Sequence, residues 1–286
     1  MLVQGAITSL EQFLQIVDAI RLRRVPLGFM GLPMRWEFYR GQADACWAVT
    51  PGITRELPDV QAVRNADAAV MSHFRQRMTE MDRLDRLHFW QPPRGFQDDW
   101  SLYFQAQHYR IPTRLLDWSG KPEVALFFAV EQPQYDESDG AFYVYYNPPS
   151  HLKIDGGAQY QDFAAVPPTD VTGTWFLNPA FDANRDREGT LAEGRRLTQY
   201  GKFTLQPYDR CLQGLDKQAD IILPYNETMD SDIPVMEKWI IPAPVKAQLR
   251  LDLAAREWYG EALYLYEDPF INEIQAECLA LRNSFC

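Results

Sequence analysis

Between Gln107 and Ser119 the chain gathers His108, Arg110, Thr113, Arg114, Asp117, Trp118 and Ser119 in one short stretch. That mixture has no amphipathic period, so neither a half-buried helix nor a half-buried strand requires it. It reads as a polar loop, and a polar loop feeding a buried helix is a common place for a site. Thr113 and Ser119 offer hydroxyls, Asp117 a carboxylate, and Trp118 a flat face suited to stacking on a heteroaromatic ring. The same residues also admit a structural reading, with Arg114 paired to Asp117, Ser119 capping the next helix and Trp118 in the core. His108 is open in the same way, as a general base or as a hydrogen-bonded structural residue.

A second constellation lies upstream in Trp36 to Gln42, an aromatic run that reads as a strand. Arg40 falls near its end, flanked by Tyr39, Gly41 and Gln42. A guanidinium there can grip a phosphate or carboxylate through two parallel hydrogen bonds, or pair with one of the 39 acidic residues of the chain. Gly41 lets another backbone or a ligand come close. No phosphate-cradling P-loop, dinucleotide glycine fingerprint, nucleophile elbow or His-Glu-x-x-His pattern occurs, which removes those enzyme classes. Cys46, Cys211, Cys278 and Cys286 are too scattered for a metal site, so no metal is expected.

The elements that must position these groups follow from periodicity. Thr8-Ser9 caps an amphipathic helix within residues 1–25, and helical spacing recurs over 60–90 and 98–108. Pro122 opens a short apolar helix, and Ala141 to Tyr146 is a strand. Residues 147–190 read as an irregular, lid-like insertion bordering the site. Shorter strands are expected at Phe203–Leu205 and Trp239–Ile241, and helices at 244–257 and 270–281. With 286 residues, 46% of them hydrophobic, and no internal repeat or linker, a single domain over 1–286 is expected. A net charge of −11 argues against broad affinity for nucleic acid or anionic membranes. No basic leader or 18-residue apolar run occurs, so a cytoplasmic protein without membrane contact is the expectation.

Phe38-Tyr39-Arg40-Gly41-Gln42, the run from Ala106 to Ser119, Val124 to Ala129, and Gln199-Tyr200-Gly201-Lys202-Phe203-Thr204 together resemble the FRG domain, which takes its name from a Phe/Tyr-Arg-Gly motif. In order the motifs are similar to those of ADP-ribosyltransferases, where a strand-end Arg or His binds NAD, a Ser/Thr-rich strand precedes a helix, and a third strand presents Glu. This resemblance implies an α+β fold with a split β-sheet core and N-terminal, central and C-terminal helices. It implies an enzyme that binds NAD as substrate and transfers ADP-ribose to a macromolecular acceptor or hydrolyses NAD, as a bacterial toxin or phage-defence effector with an immunity or antitoxin partner. Arg40, His108 and Gln199 would then be catalytic, and Tyr39, Arg40, Gly41, Gln42, Thr113, Arg114, Asp117, Trp118 and Ser119 would bind the nucleotide. Gln199 departs from the pattern because it carries no negative charge, leaving Glu193, Asp117 or Glu267 to supply a carboxylate. The alternative is a non-catalytic module that binds a nucleotide, a nucleic-acid end or a protein; a third reading is a buried polar network that fixes the fold.

Overall fold

In the computed structural model, which describes residues 2–22, 36–83, 96–147, 166–171, 175–177, 201–217, 236–256 and 269–286, the apolar runs converge on one seven-stranded sheet. Its strands are β1 (Leu2–Ala6), β2 (Trp36–Gln42), β3 (Leu115–Ser119), β4 (Gly140–Asn147), β5 (Trp175–Leu177), β6 (Gly201–Leu205) and β7 (Met236–Ile241). They run in the order β1-β7-β4-β2-β3-β6-β5, and every neighbouring pair is antiparallel except β1 with β7. The helices are α1 (Leu10–Leu22), α2 (Val60–Arg83), α3 (Phe96–His108), α4 (Pro122–Val130), α5 (Lys246–Ala255) and α6 (Pro269–Asn283). The mixed helix-and-sheet class agrees with the sequence reading, as do α1, α4, β4, α5 and α6.

The sheet is covered on both faces. Tyr39, Phe142, Val144 and Tyr146 project into a core shared with α1, α4 and α5, where Phe13 of α1 meets Phe142 edge-on at 5.3 Å. Phe38, Leu116, Trp118, Tyr143 and Tyr145 project to the opposite side, under Val49 and Leu215. Beyond β3, α3 lies over Leu115, Phe203 and Leu205, and Phe104 stacks on Phe203 at 5.5 Å. A further core joins α2, α3 and α6 through Phe74, Met78, Ala106, Ile274 and Cys278.

The ladders on the two sides of β2 differ sharply in length. Toward β4 it is in register from Trp36↔Asn147 to Gln42↔Ala141, whereas toward β3 it pairs at Tyr39↔Ser119 alone. The sheet therefore carries a seam between β2 and β3. On the β2 side, α4 presses its backbone onto the strand: a Cβ on Gly41 would stand 1.9 Å from the Ala125 carbonyl oxygen and 2.6 Å from the Ala129 nitrogen. Only glycine fits beneath that helix. The same region is tied together by Lys246, which is 0% exposed and donates to the carbonyls of Ala43 at 2.9 Å and Ser138 at 3.1 Å, and to that of Tyr135. Burial lowers the pKa of this ammonium, and Asp136 opposes the shift.

Three readings need correction. The polar loop of 107–119 divides into the end of α3, a turn, and the buried strand β3. A strand covered on both faces need not alternate, which is why Leu115-Leu116-Asp117-Trp118-Ser119 hid its nature. The first residues of the 1–25 segment form β1 before the helix begins. Within 147–190, Val166 accepts a hydrogen bond from the Trp100 indole at 2.9 Å, Val171 is buried, and β5 extends the sheet beside β6. Those described pieces belong to the body of the fold.

Candidate functional site

The turn before β3 is set by how α3 ends. Ile111 N–H donates to Ala106 O at 2.9 Å and Arg110 N–H to Gln107 O at 3.0 Å, the pair of bonds that closes a Schellman motif. The left-handed position falls on Arg110, at φ 57°, where glycine is usual. Ile111 and Ala106 complete the motif by packing in the same core, and Pro112 stops further helix. His108 occupies the last residue of α3, half-buried, its ring 5.6 Å from that of Tyr109.

Past this turn the signature residues separate into two groups. Arg114 is 0% exposed and belongs to a buried network: Nε meets Asp67 Oδ2 at 3.1 Å, one terminal nitrogen donates to Gln206 O at 2.9 Å and the other to Pro168 O. Tyr103 donates to Asp67 Oδ1 at 2.8 Å and Tyr208 to Oδ2 at 2.5 Å, while the Arg114 guanidinium lies 3.7 Å from the centre of the Tyr208 ring. Burial opposes the arginine's charge, but Tyr103, Asp67 and Tyr208 outweigh it and raise its pKa. The Tyr103 and Tyr208 hydroxyls are likewise pushed up, first by burial and then by Asp67. Trp118 is also buried, with its indole N–H donating to Thr204 Oγ1 at 3.1 Å and its ring tilted against Tyr145. Neither Arg114 nor Trp118 presents a face to a ligand in this arrangement, and the Arg114–Asp117 pair of the alternative, structural reading is replaced by Arg114–Asp67.

The second group borders the seam. Arg40 lies in β2 two residues from its end, and its Nη1 donates across to the Asp117 carbonyl at 2.9 Å. Its Nε is buried with no hydrogen-bond partner among the described residues, so the guanidinium retains donor capacity. Burial lowers the Arg40 pKa, Asp117 raises it and Arg55 lowers it; the group stays cationic at any ordinary pH. Directly opposite Arg40 on β4 is Tyr143, whose buried hydroxyl also has no partner among the described residues and whose pKa is raised by burial. Gln42 donates to Ala48 O at 3.3 Å, and its Oε1 is similarly unpartnered.

Asp117 itself is exposed, and its Oδ2 accepts from Gln107 Nε2 at 2.5 Å. Gln107 Oε1 in turn accepts from the buried Thr113 hydroxyl at 2.5 Å. Ser119 does not cap α4: it accepts the Lys121 N–H at 2.9 Å in a turn ahead of the helix, and Lys121, at the N-cap position, makes no side-chain cap bond. Tyr39 is buried against Phe142, its ring stacked at 5.6 Å. Gln199, Glu193 and Glu267 lie outside the described residues. Gln107 as a partner of Asp117, and Asp67, Tyr103 and Tyr208 as partners of Arg114, escape a reading by local spacing. Their only sequence signal is an Asp at a buried position of an amphipathic helix.

Residues 36–138 match the family model of the FRG domain, so the chain carries an FRG domain over that stretch. The matched span contains Arg40, the whole 107–119 segment and α4. No curated protein and no solved structure matches the chain. Among the described residues no cluster of His, Cys, Asp or Glu could hold a metal ion, and no helix is long and apolar enough to cross a membrane.

Proposed function

We propose that this chain is an ADP-ribosyltransferase-like enzyme that binds NAD along the β2–β3 seam and either transfers ADP-ribose to a macromolecular acceptor or hydrolyses NAD. The observation that carries this reading is Arg40: a cation beside an interrupted ladder, with one buried nitrogen still unpartnered among the described residues. The order of the strands supports it too, because the three motif-bearing strands β2, β3 and β6 are successive neighbours and Gln199 precedes β6 by two residues.

In this reading Arg40 holds the pyrophosphate through charge-assisted hydrogen bonds, and Gln199 positions a ribose hydroxyl. The bond between ribose C1′ and the nicotinamide nitrogen breaks, its electron pair leaving with neutral nicotinamide. The oxygen of water or of an acceptor bonds to C1′, and its proton passes to His108 or to solvent. Asp117, the exposed carboxylate beside the seam, faces the positive charge that develops on the ribose. Such an activity fits a toxin or phage-defence effector held in check by an immunity protein.

The test is to incubate the purified protein with NAD and follow nicotinamide release beside an Arg40→Ala variant. Release by the wild type that falls at least about tenfold in the variant is expected, given what one charge-assisted contact contributes. Absence of both release and NAD binding in calorimetry removes the activity. Equal release by both proteins removes Arg40 from the site.

A further inference from the structure

One set of hydrogen bonds at the seam acts on Asp117 from behind, through a residue that none of the motif roles covers. Thr113 Oγ1 accepts the Leu115 N–H at 3.0 Å and donates its own proton to Gln107 Oε1 at 2.5 Å. With the amide oxygen directed at Thr113, the amide nitrogen of Gln107 faces Asp117 and donates to Oδ2 at 2.5 Å. Turning the amide over would set its oxygen against a carboxylate oxygen at that same separation, two acceptors with no proton between them. The buried hydroxyl and the carboxylate therefore agree on a single orientation of Gln107.

We propose that Gln107 is a positioning residue that sets the orientation of the Asp117 carboxylate at the seam, and that Thr113 holds Gln107 in register. Three parts of the fold converge to make this relay: the last turn of α3, the turn before β3, and β3 itself. Thr113 is 1% exposed, so the relay is anchored on its inner side while the carboxylate it serves is exposed on the outer one. A carboxylate that accepts a fixed donor presents a defined oxygen to a bound ribose, and removing that donor widens its rotamer range and weakens transition-state contact. The inference rests on the NAD reading and adds the residue that makes Asp117 effective within it.

The experiment compares NAD turnover by the full chain, wild type and variants. Gln107→Met keeps the length of the side chain and removes both hydrogen bonds; kcat is expected to fall about tenfold, with KM within about twofold, since positioning acts on the transition state more than on binding. Thr113→Ser retains the hydroxyl and should stay near wild-type turnover, while Thr113→Val should behave like Gln107→Met. If Thr113→Val does not fold, Gln107→Met and Thr113→Ser still decide the matter. A Gln107→Met protein with wild-type kcat overturns the positioning role and leaves the NAD reading standing. So does a loss confined to KM. A wild-type protein that neither binds nor consumes NAD removes both together.

Discussion

The two sides of the β2–β3 seam are built by opposite means. On the β2 side, α4 comes close enough for helix backbone to touch strand backbone at Gly41, and the space above is filled by Tyr39, Phe142 and Val144. On the β3 side, the interior holds Asp67, Arg114, Tyr103 and Tyr208, a charged network whose members satisfy one another. Apolar packing tolerates small adjustments of distance, but a buried ion pair tolerates no missing member. The motif residues that look most reactive, Arg114 and Trp118, are committed to holding β3 in place. Arg40, whose Nε has no hydrogen-bond partner among the described residues, and the exposed Asp117 sit where the ladder lapses.

Arg114→Met tests the polar side most severely. It leaves the Asp67 carboxylate buried without its cation, and a loss of about 3–5 kcal/mol in denaturant unfolding is expected. A loss below about 1 kcal/mol, the scale of an exposed pair, would mean that β3 does not depend on the network. Gly41→Ala probes the opposite side: the added methyl meets the Ala125 carbonyl, so α4 must lift, at a cost of about 1–3 kcal/mol or more. Near-neutral stability for this variant would erase the contrast between the sides. The smallest effect is expected at the turn that delivers the chain to β3. Arg110→Gly relieves a left-handed arginine and should raise stability by about 1 kcal/mol, seen as a higher denaturant midpoint with unchanged slope.

Much of the framework was legible where one physical signal dominated. The apolar run after Pro122 could only be a buried helix, and Phe142-Tyr143-Val144-Tyr145-Tyr146 could hardly be anything but a strand. β3 escaped because both its faces are covered and a carboxylate interrupts its apolar residues. Arg114 was misread for a different reason: its partner, Asp67, is contributed by α2, and no local spacing announces that pairing. For the candidate site, Arg40 beside Gly41 and the 107–119 segment could be located, and their proximity across the seam was foreseeable from the family resemblance. The inward commitment of Arg114 and the Gln107 relay were not, because both depend on how α3 lies over β3.

Lys246 carries a consequence for how this domain can be moved between proteins. It lies far beyond the matched span of 36–138, yet the carbonyls that receive its three bonds, at Ala43, Tyr135 and Ser138, all belong to that span. β4, which pairs with β2 along its whole length, begins two residues after the span ends. A graft cut at the limits of the match would strip β2 of its longest ladder and leave three carbonyls, that of Ala43 buried, without the Lys246 donor. The recognisable signature and the portable module are thus different objects, and a chimera that respects the second must carry β4, β7 and the start of α5 along with the first.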